Sequence, residues 1–97
     1  MIAGNFKTYE LTIANSATGE LDLSDIVQSE KLIKINPIAD AVRILITPSS
    51  STNVADSSDF LMEKDSVSEF ELGAGLDRLS IYNGSGGEIK VSIAVLF

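Results

Sequence analysis

The sequence predicts an all-β fold, an antiparallel β-sandwich of the jelly-roll or Ig-like kind with about seven or eight short strands. Three observations predict it. Alternating apolar and polar residues recur over Ala41 to Thr47, Ser68 to Leu72, Leu79 to Tyr82 and Glu88 to Leu96. Clusters of Ser, Gly and Asp separate these runs, as turns between strands require. The length of 97 residues suits one core and is too short for two, so residues 1–97 read as a single domain.

Taken in order, Phe6 to Ile13 places Tyr9, Leu11 and Ile13 on one face and reads as a first strand. The cluster from Asn15 to Gly19 ends it, and Glu20 to Leu23 alternates again. Ser24 to Glu30 reads as a loop, with Ser24 capping a single helical turn that carries Ile26 and Val27 as the alternative. Leu32 to Ile35 resumes the strand pattern, and Asn36-Pro37 interrupts it because proline cannot donate to a ladder. Val42, Ile44 and Ile46 then face one way and Arg43, Leu45 and Thr47 the other, in the best candidate for a central strand. Pro48 and the polar run to Asp59 read as a long surface connection, with room for a short strand near Val54.

Phe60 to Glu63 and Ser68 to Leu72 are two more strands, the second with Phe70 and Leu72 inward. Gly73-Ala74-Gly75 turns the chain into Leu79 to Tyr82. The glycine-rich link from Asn83 to Gly87 reads as a hairpin into the last strand, where Ile89, Val91, Ile93 and Val95 share a face. That strand ends on Phe97, which is expected to tuck into a core or lie against a neighbouring chain.

Composition narrows the function classes. The chain contains no His, no Cys and no Trp. A thiolate or imidazole metal site, a disulfide framework and Cys or His nucleophile chemistry are therefore outside its means. The formal charge of −7 opposes nucleic acid and anionic membranes through long-range repulsion. No basic n-region followed by an apolar core opens the sequence, and no apolar run reaches the roughly 18 residues of a membrane span, so a soluble protein made in a cytoplasm is expected. Asn83-Gly84-Ser85 has the form of a glycosylation sequon and reads as turn chemistry instead.

Five constellations compete with blander readings. Asp56 and Asp59, with Asp65 or Glu63, are oxygen ligands of the type Ca2+ takes, but the D-x-D-x-D-G spacing is missing, and turn-forming aspartates are the simpler reading. Gly84, Gly86 and Gly87 match no phosphate-binding pattern. Glu69 and Glu71 flank Phe70 and read as a solvated face rather than as a glycosidase pair. Tyr9, Tyr82, Phe6, Phe60 and Phe70 are too few for a sugar-stacking platform and read mostly as core. Arg43 and Arg78, the only arginines, sit near Asp40 and Asp77, as intramolecular ion pairs or as interface anchors.

The stretch from Ala39 to Leu96, with its A-x-x-V-R-I strand, polar loop, acidic E-x-E-L strand and L-D-R-L-S strand, resembles small virion proteins of tailed bacteriophages. Residues 41 to 96 carry the likeness, and residues 1 to 40 complete the sandwich. The resemblance implies a non-enzymatic capsid decoration or cement protein, binding the major capsid protein or another virion protein, favouring a homotrimer and located on the capsid surface after assembly in the host cytoplasm. No cofactor and no metal are expected, and from the charge and hydropathy no nucleic-acid or membrane partner.

On that reading the contact residues are Phe6, Arg43, Leu45, Asn53, Val54 and Phe97, with residues 1–8 as an extended N-terminal arm and the 49–59 loop as a clamp. The alternative is a carbohydrate- or receptor-binding sandwich module of a phage tail or fibre. An enzyme restricted to carboxylate, Lys or Ser chemistry is the remaining class.

Overall fold

The structure is a computed structural model that describes residues 4–26, 31–38, 40–48, 50–63, 67–73 and 75–97. Val27 of the alternative helical turn, Asp65 of the calcium set, Ser49 of the loop and residues 1–3 of the arm lie outside them. The described residues hold eight strands and no helix. They are β1 (Phe6–Ile13), β2 (Thr18–Asp22), β3 (Lys31–Pro37), β4 (Val42–Thr47), β5 (Phe60–Met62), β6 (Ser68–Leu72), β7 (Arg78–Tyr82) and β8 (Ile89–Leu96).

Sheet I has the order β1-β8-β3-β6 and sheet II the order β2-β7-β4-β5, antiparallel throughout. The pairings β1 with β8, β2 with β7, β3 with β6 and β4 with β5 are nested, like one long hairpin wrapped round on itself. The wrapping joins these nested pairs through β3–β8 and β4–β7. This is the jelly roll, and it separates the two expected sandwiches, because among the described residues β4–β5 is the one ladder between strands consecutive in sequence.

The strands form where side-chain alternation gives each a dry face. In β8, Ile89, Val91, Ile93 and Val95 are all buried while Lys90 is exposed. Ile33 and Ile35 on β3 and Ile13 on β1 continue that layer; Val42, Ile44, Leu79 and Ile81 supply the facing one. Each such aliphatic group contributes about 1.5–3 kcal/mol on full burial. β4 is internal to sheet II, as its pattern predicts.

Four expectations change. The Asn83–Gly87 link is not a hairpin: β7 belongs to sheet II and β8 to sheet I, so the link crosses between sheets. β3 runs through Asn36 to Pro37, which registers with Val91. The Ile38 amide donates to the Lys90 carbonyl, so by strand alternation the proline nitrogen faces the β6 side, beyond the last β3–β6 pair at Ile35 and Ser68. No strand forms around Val54.

The fourth concerns the arm: residues 6–8 are ladder residues of β1, registered with Leu96, Val95 and Ala94, and Asn5 exchanges both backbone hydrogen bonds with Phe97, at 3.0 and 3.1 Å. Phe97 packs against the core of its own chain, and β8 is paired on both sides within it.

Candidate functional site

The registers bring the connections 14–17 and 83–88 and the strand ends at Pro37, Val42, Met62 and Ser68 to one end of the sandwich, where Ile13 meets Ile89, Pro37 meets Val91, Val42 meets Met62 and Ile35 meets Ser68. Asn83 locks this end. It is fully buried, and its carboxamide nitrogen donates to the carbonyls of Ile13 at 2.9 Å, Ala14 at 3.2 Å and Gly87 at 2.7 Å. Its Oδ1 accepts the Ser85 amide at 3.0 Å, which is the Asx-turn chemistry read from Asn83-Gly84-Ser85.

The backbone joins in. Ser16 donates to the Asn83 carbonyl at 2.8 Å, the Asn83 amide donates to Ala17 at 2.9 Å, and Gly86 donates to Asn15 Oδ1 at 3.0 Å. Gly86 holds φ at 99°, a conformation that glycine adopts without strain. Four linked strand ends therefore form a rigid platform rather than loose loops.

A depression lies on each flank of that platform. On sheet I, about 490 Å3 of space opens over the small side chains of Ser92 and Ala94, walled by Thr8, Glu10, Lys34 and Asn36, with Val67 at its end. The wall charges are matched by Lys34–Glu69 at 3.3 Å and Lys90–Glu10 at 3.9 Å, exposed pairs contributing about 0–1 kcal/mol each. On sheet II, about 290 Å3 is lined by Asp40, Arg43, Leu61, Tyr82, Gly84 and Ser85. Ile38, Leu61 and Val67 expose 45, 44 and 61% of their surface around this end, a concentration of uncovered aliphatic groups at the platform.

Of the 49–59 loop expected to be a clamp, the described residues 50–59 are held over the outer face of sheet II. The Ala55 amide donates to Ser80 Oγ at 2.8 Å, Thr18 Oγ1 donates to the Ala55 carbonyl at 3.0 Å, and Ala55 is buried. The Arg78 guanidinium donates to the Ser51 carbonyl, to the Asn53 carbonyl at 3.4 Å and to the Glu20 carboxylate, while Arg43 donates to the Asp59 carbonyl at 2.8 Å. The loop turns on its own aspartates. Asp56 Oδ1 accepts the Ser58 hydroxyl at 2.6 Å and the Ser58 amide at 2.8 Å, and these bonds, the hydroxyl first, hold its carboxyl below the ordinary aspartate value. Asp59 accepts the Asp56 amide at 2.8 Å. Both aspartates are the turn formers of the simpler reading, and no group of metal-ligating residues occurs among the described residues.

The candidate contact residues therefore divide. Arg43, Leu45, Asn53 and Val54 come together on the sheet II side: Leu45 is half-buried with its carbonyl accepting Ser80 Oγ at 3.3 Å, and Asn53 and Val54 are exposed on the loop. Phe97 sits at the far end of sheet I beside Asn5, and Phe6 opens β1 there, its side chain outside the described set. Phe60, expected in the core, is 60% exposed on the short edge strand β5. The platform at the opposite end went unmarked because its coherence depends on Asn83, whose sequence context signals only a turn.

No protein-family model matches the chain, and no curated protein matches it. Among solved structures, the chain is similar to a cupin domain of an XRE-family transcriptional regulator from Enterobacter cloacae, with a TM-score of 0.63 and 13% identity over 95% of this chain and 81% of that one. It is also similar to a chain of Bacillus endospore appendages, which form a family of disulfide-linked pili, with a TM-score of 0.52 and 9% identity over 98% of this chain and 89% of that one. At these identities the likeness is one of fold, and it agrees with the two antiparallel sheets described above.

Proposed function

We propose that the chain is a non-enzymatic structural protein of a phage particle, a decoration protein that binds the outer surface of the head and stabilises it. The observation that carries this reading is the rigid loop platform with Ile38, Leu61 and Val67 uncovered around it, a surface suited to docking on another protein. Two further features support it. The inward positions of both sheets are aliphatic almost throughout among the described residues. The resemblance of residues 41 to 96 to small virion proteins adds the choice of partner. The platform replaces the arm and the 49–59 loop as the proposed contact, and the homotrimer remains part of the proposal.

Of the two structural neighbours named above, the pilus chain comes from a disulfide-linked assembly. This chain has no cysteine, so an assembly built from it would not be disulfide-linked. A specific and stable contact buries about 1,200 Å2 or more in total. The test is cosedimentation of the purified chain with DNA-free heads of the phage that encodes it, together with light scattering of the chain alone. Saturable binding by the wild type and its loss in an Ile38→Asp, Val67→Asp variant of unchanged urea midpoint are expected; a wild type that stays in the supernatant overturns the reading.

A second reading, a carbohydrate-binding module, has one specific observation in its favour. Asn36 Oδ1 is buried without a hydrogen-bond partner beside the sheet I depression, and such an atom calls for a donor. Glycan-array binding abolished by Asn36→Ala, with no head binding, would favour this reading over the first.

A further inference from the structure

We propose that Asn83 is a deamidation site masked by the fold, and that its conversion in an unfolded chain prevents the loop platform from forming again. The inference does not depend on which partner the platform binds. Asn83 is followed by Gly84, whereas Asn5, Asn15, Asn36 and Asn53 precede Phe, Ser, Pro and Val. Without a Cβ, the Gly84 amide nitrogen is the least hindered nucleophile that can follow an asparagine.

The reaction is balanced by water alone. The deprotonated Gly84 nitrogen attacks Asn83 Cγ, the Cγ–Nδ2 bond breaks and ammonia leaves with a proton, closing a five-membered succinimide. Water then adds to either ring carbonyl, opening it to aspartate or to isoaspartate, whose backbone is longer by one carbon.

In the folded chain each step is obstructed. The departing nitrogen is hydrogen-bonded to three carbonyls, Oδ1 is held by the Ser85 amide, and the residue is fully buried, so the carboxamide cannot swing onto the Gly84 nitrogen and water has no access. In the unfolded chain none of these restraints remains.

The product is incompatible with the site it came from. Three carbonyl oxygens that share the two Nδ2 hydrogens would face a carboxylate oxygen with no hydrogen to give, and the new charge would be buried among acceptors. Isoaspartate would in addition displace Gly86 from Asn15 and Ser16 from the Asn83 carbonyl. Unfolding thus becomes irreversible at a rate set by chemistry at one peptide bond.

The full chain is incubated at mildly alkaline pH in native buffer and, separately, in urea, then sampled by intact mass and peptide mapping and returned to native buffer. The amide-to-acid mass gain is expected at Asn83 in urea and not in native buffer over the same interval, and the converted fraction is expected to stay unfolded while the unconverted fraction refolds. Gly84→Ala is expected to slow conversion in urea several-fold, a readout that requires no folded state. Asn83→Asp, made directly, is expected to reproduce the refolding defect. Equal conversion rates with and without urea, conversion at another asparagine first, or an Asn83→Asp chain with the wild-type urea midpoint would each overturn the proposal.

Discussion

The Ala55 amide donates to Ser80 Oγ at 2.8 Å across 25 residues of sequence, with each residue only 1% exposed. Ser80 lies between two core residues of β7, Leu79 and Ile81, but points to the opposite face of sheet II, where Ala55 lies over it. Its hydroxyl accepts from Ala55 and donates to Leu45, so one oxygen joins a loop to two strands. Ser80→Ala leaves a buried amide without an acceptor and is expected to cost about 1–3 kcal/mol, read as a lowered urea midpoint at unchanged slope. A change within experimental error would mean that the loop is not fastened there.

Arg78 fastens the same loop by a different chemistry, reaching two loop carbonyls and the Glu20 carboxylate with one planar fork. Lysine carries the charge but not the fork. Arg78→Lys is therefore expected to increase protease cleavage within residues 50–59 severalfold while lowering the global urea midpoint less than Ser80→Ala does. Limited proteolysis followed by mass spectrometry separates the two effects.

Ile93 is 1% exposed on the strand that both β1 and β3 pair with. Ile93→Ala is expected to cost about 2–5 kcal/mol, a large share of the stability of a domain this size. Leu61→Ala, at a position 44% exposed, is expected to lie within about 0.5 kcal/mol of the wild type. Thermal melts of the two variants, compared side by side, check the burial pattern of both sheets.

Two exposed carboxylates make folding sensitive to acid. Asp22 is held below its ordinary 3.8 by the Ser24 amide first and the Ser24 hydroxyl second, and Asp56 by the Ser58 hydroxyl and then the Ser58 amide. Because the folded values lie below the unfolded ones, each contribution is fully present above 3.8 and is lost as pH falls through the folded value. Asn at both positions keeps an acceptor but has no charge to titrate. The Asp22→Asn, Asp56→Asn variant is expected to have a lower urea midpoint than the wild type at neutral pH, with the two curves converging as pH falls below 3.8. Curves that stay parallel into acid would contradict the direction of both shifts.

Strand content was legible wherever side-chain alternation is strict. The faces of β8 and β4 follow from Ile89 to Val95 and Val42 to Ile46 because a half-buried strand needs a period of two. Sheet membership was not legible. Asn83 to Gly87 has hairpin composition, but composition reports that the chain turns and not which ladder it turns into, and that choice rests on carbonyls of Ile13 and Ala14 about 70 residues away. Pro37 misled for a related reason, since its missing N–H matters only on the side where a partner strand sits. Nothing in the pattern foretells that Lys31 is buried at the start of β3, or that Ala55 in a polar loop would be bound against a sheet. The candidate site divided accordingly: Arg43 does line a recess, while Asn53 and Val54 belong to a loop held by Arg78.

The nested strand pairing also sets an order of events during synthesis. β8 lies between β1 and β3, so a ribosome that has released the first seven strands has released a sheet I with its middle missing. β1 waits for a partner some 80 residues downstream, and contacts of such long sequence separation slow folding. Until β8 emerges, β1 and the β8-side edge of β3 lack the strand they pair with, and a nascent polypeptide stalled there would offer both edges to a chaperone or to another copy of itself.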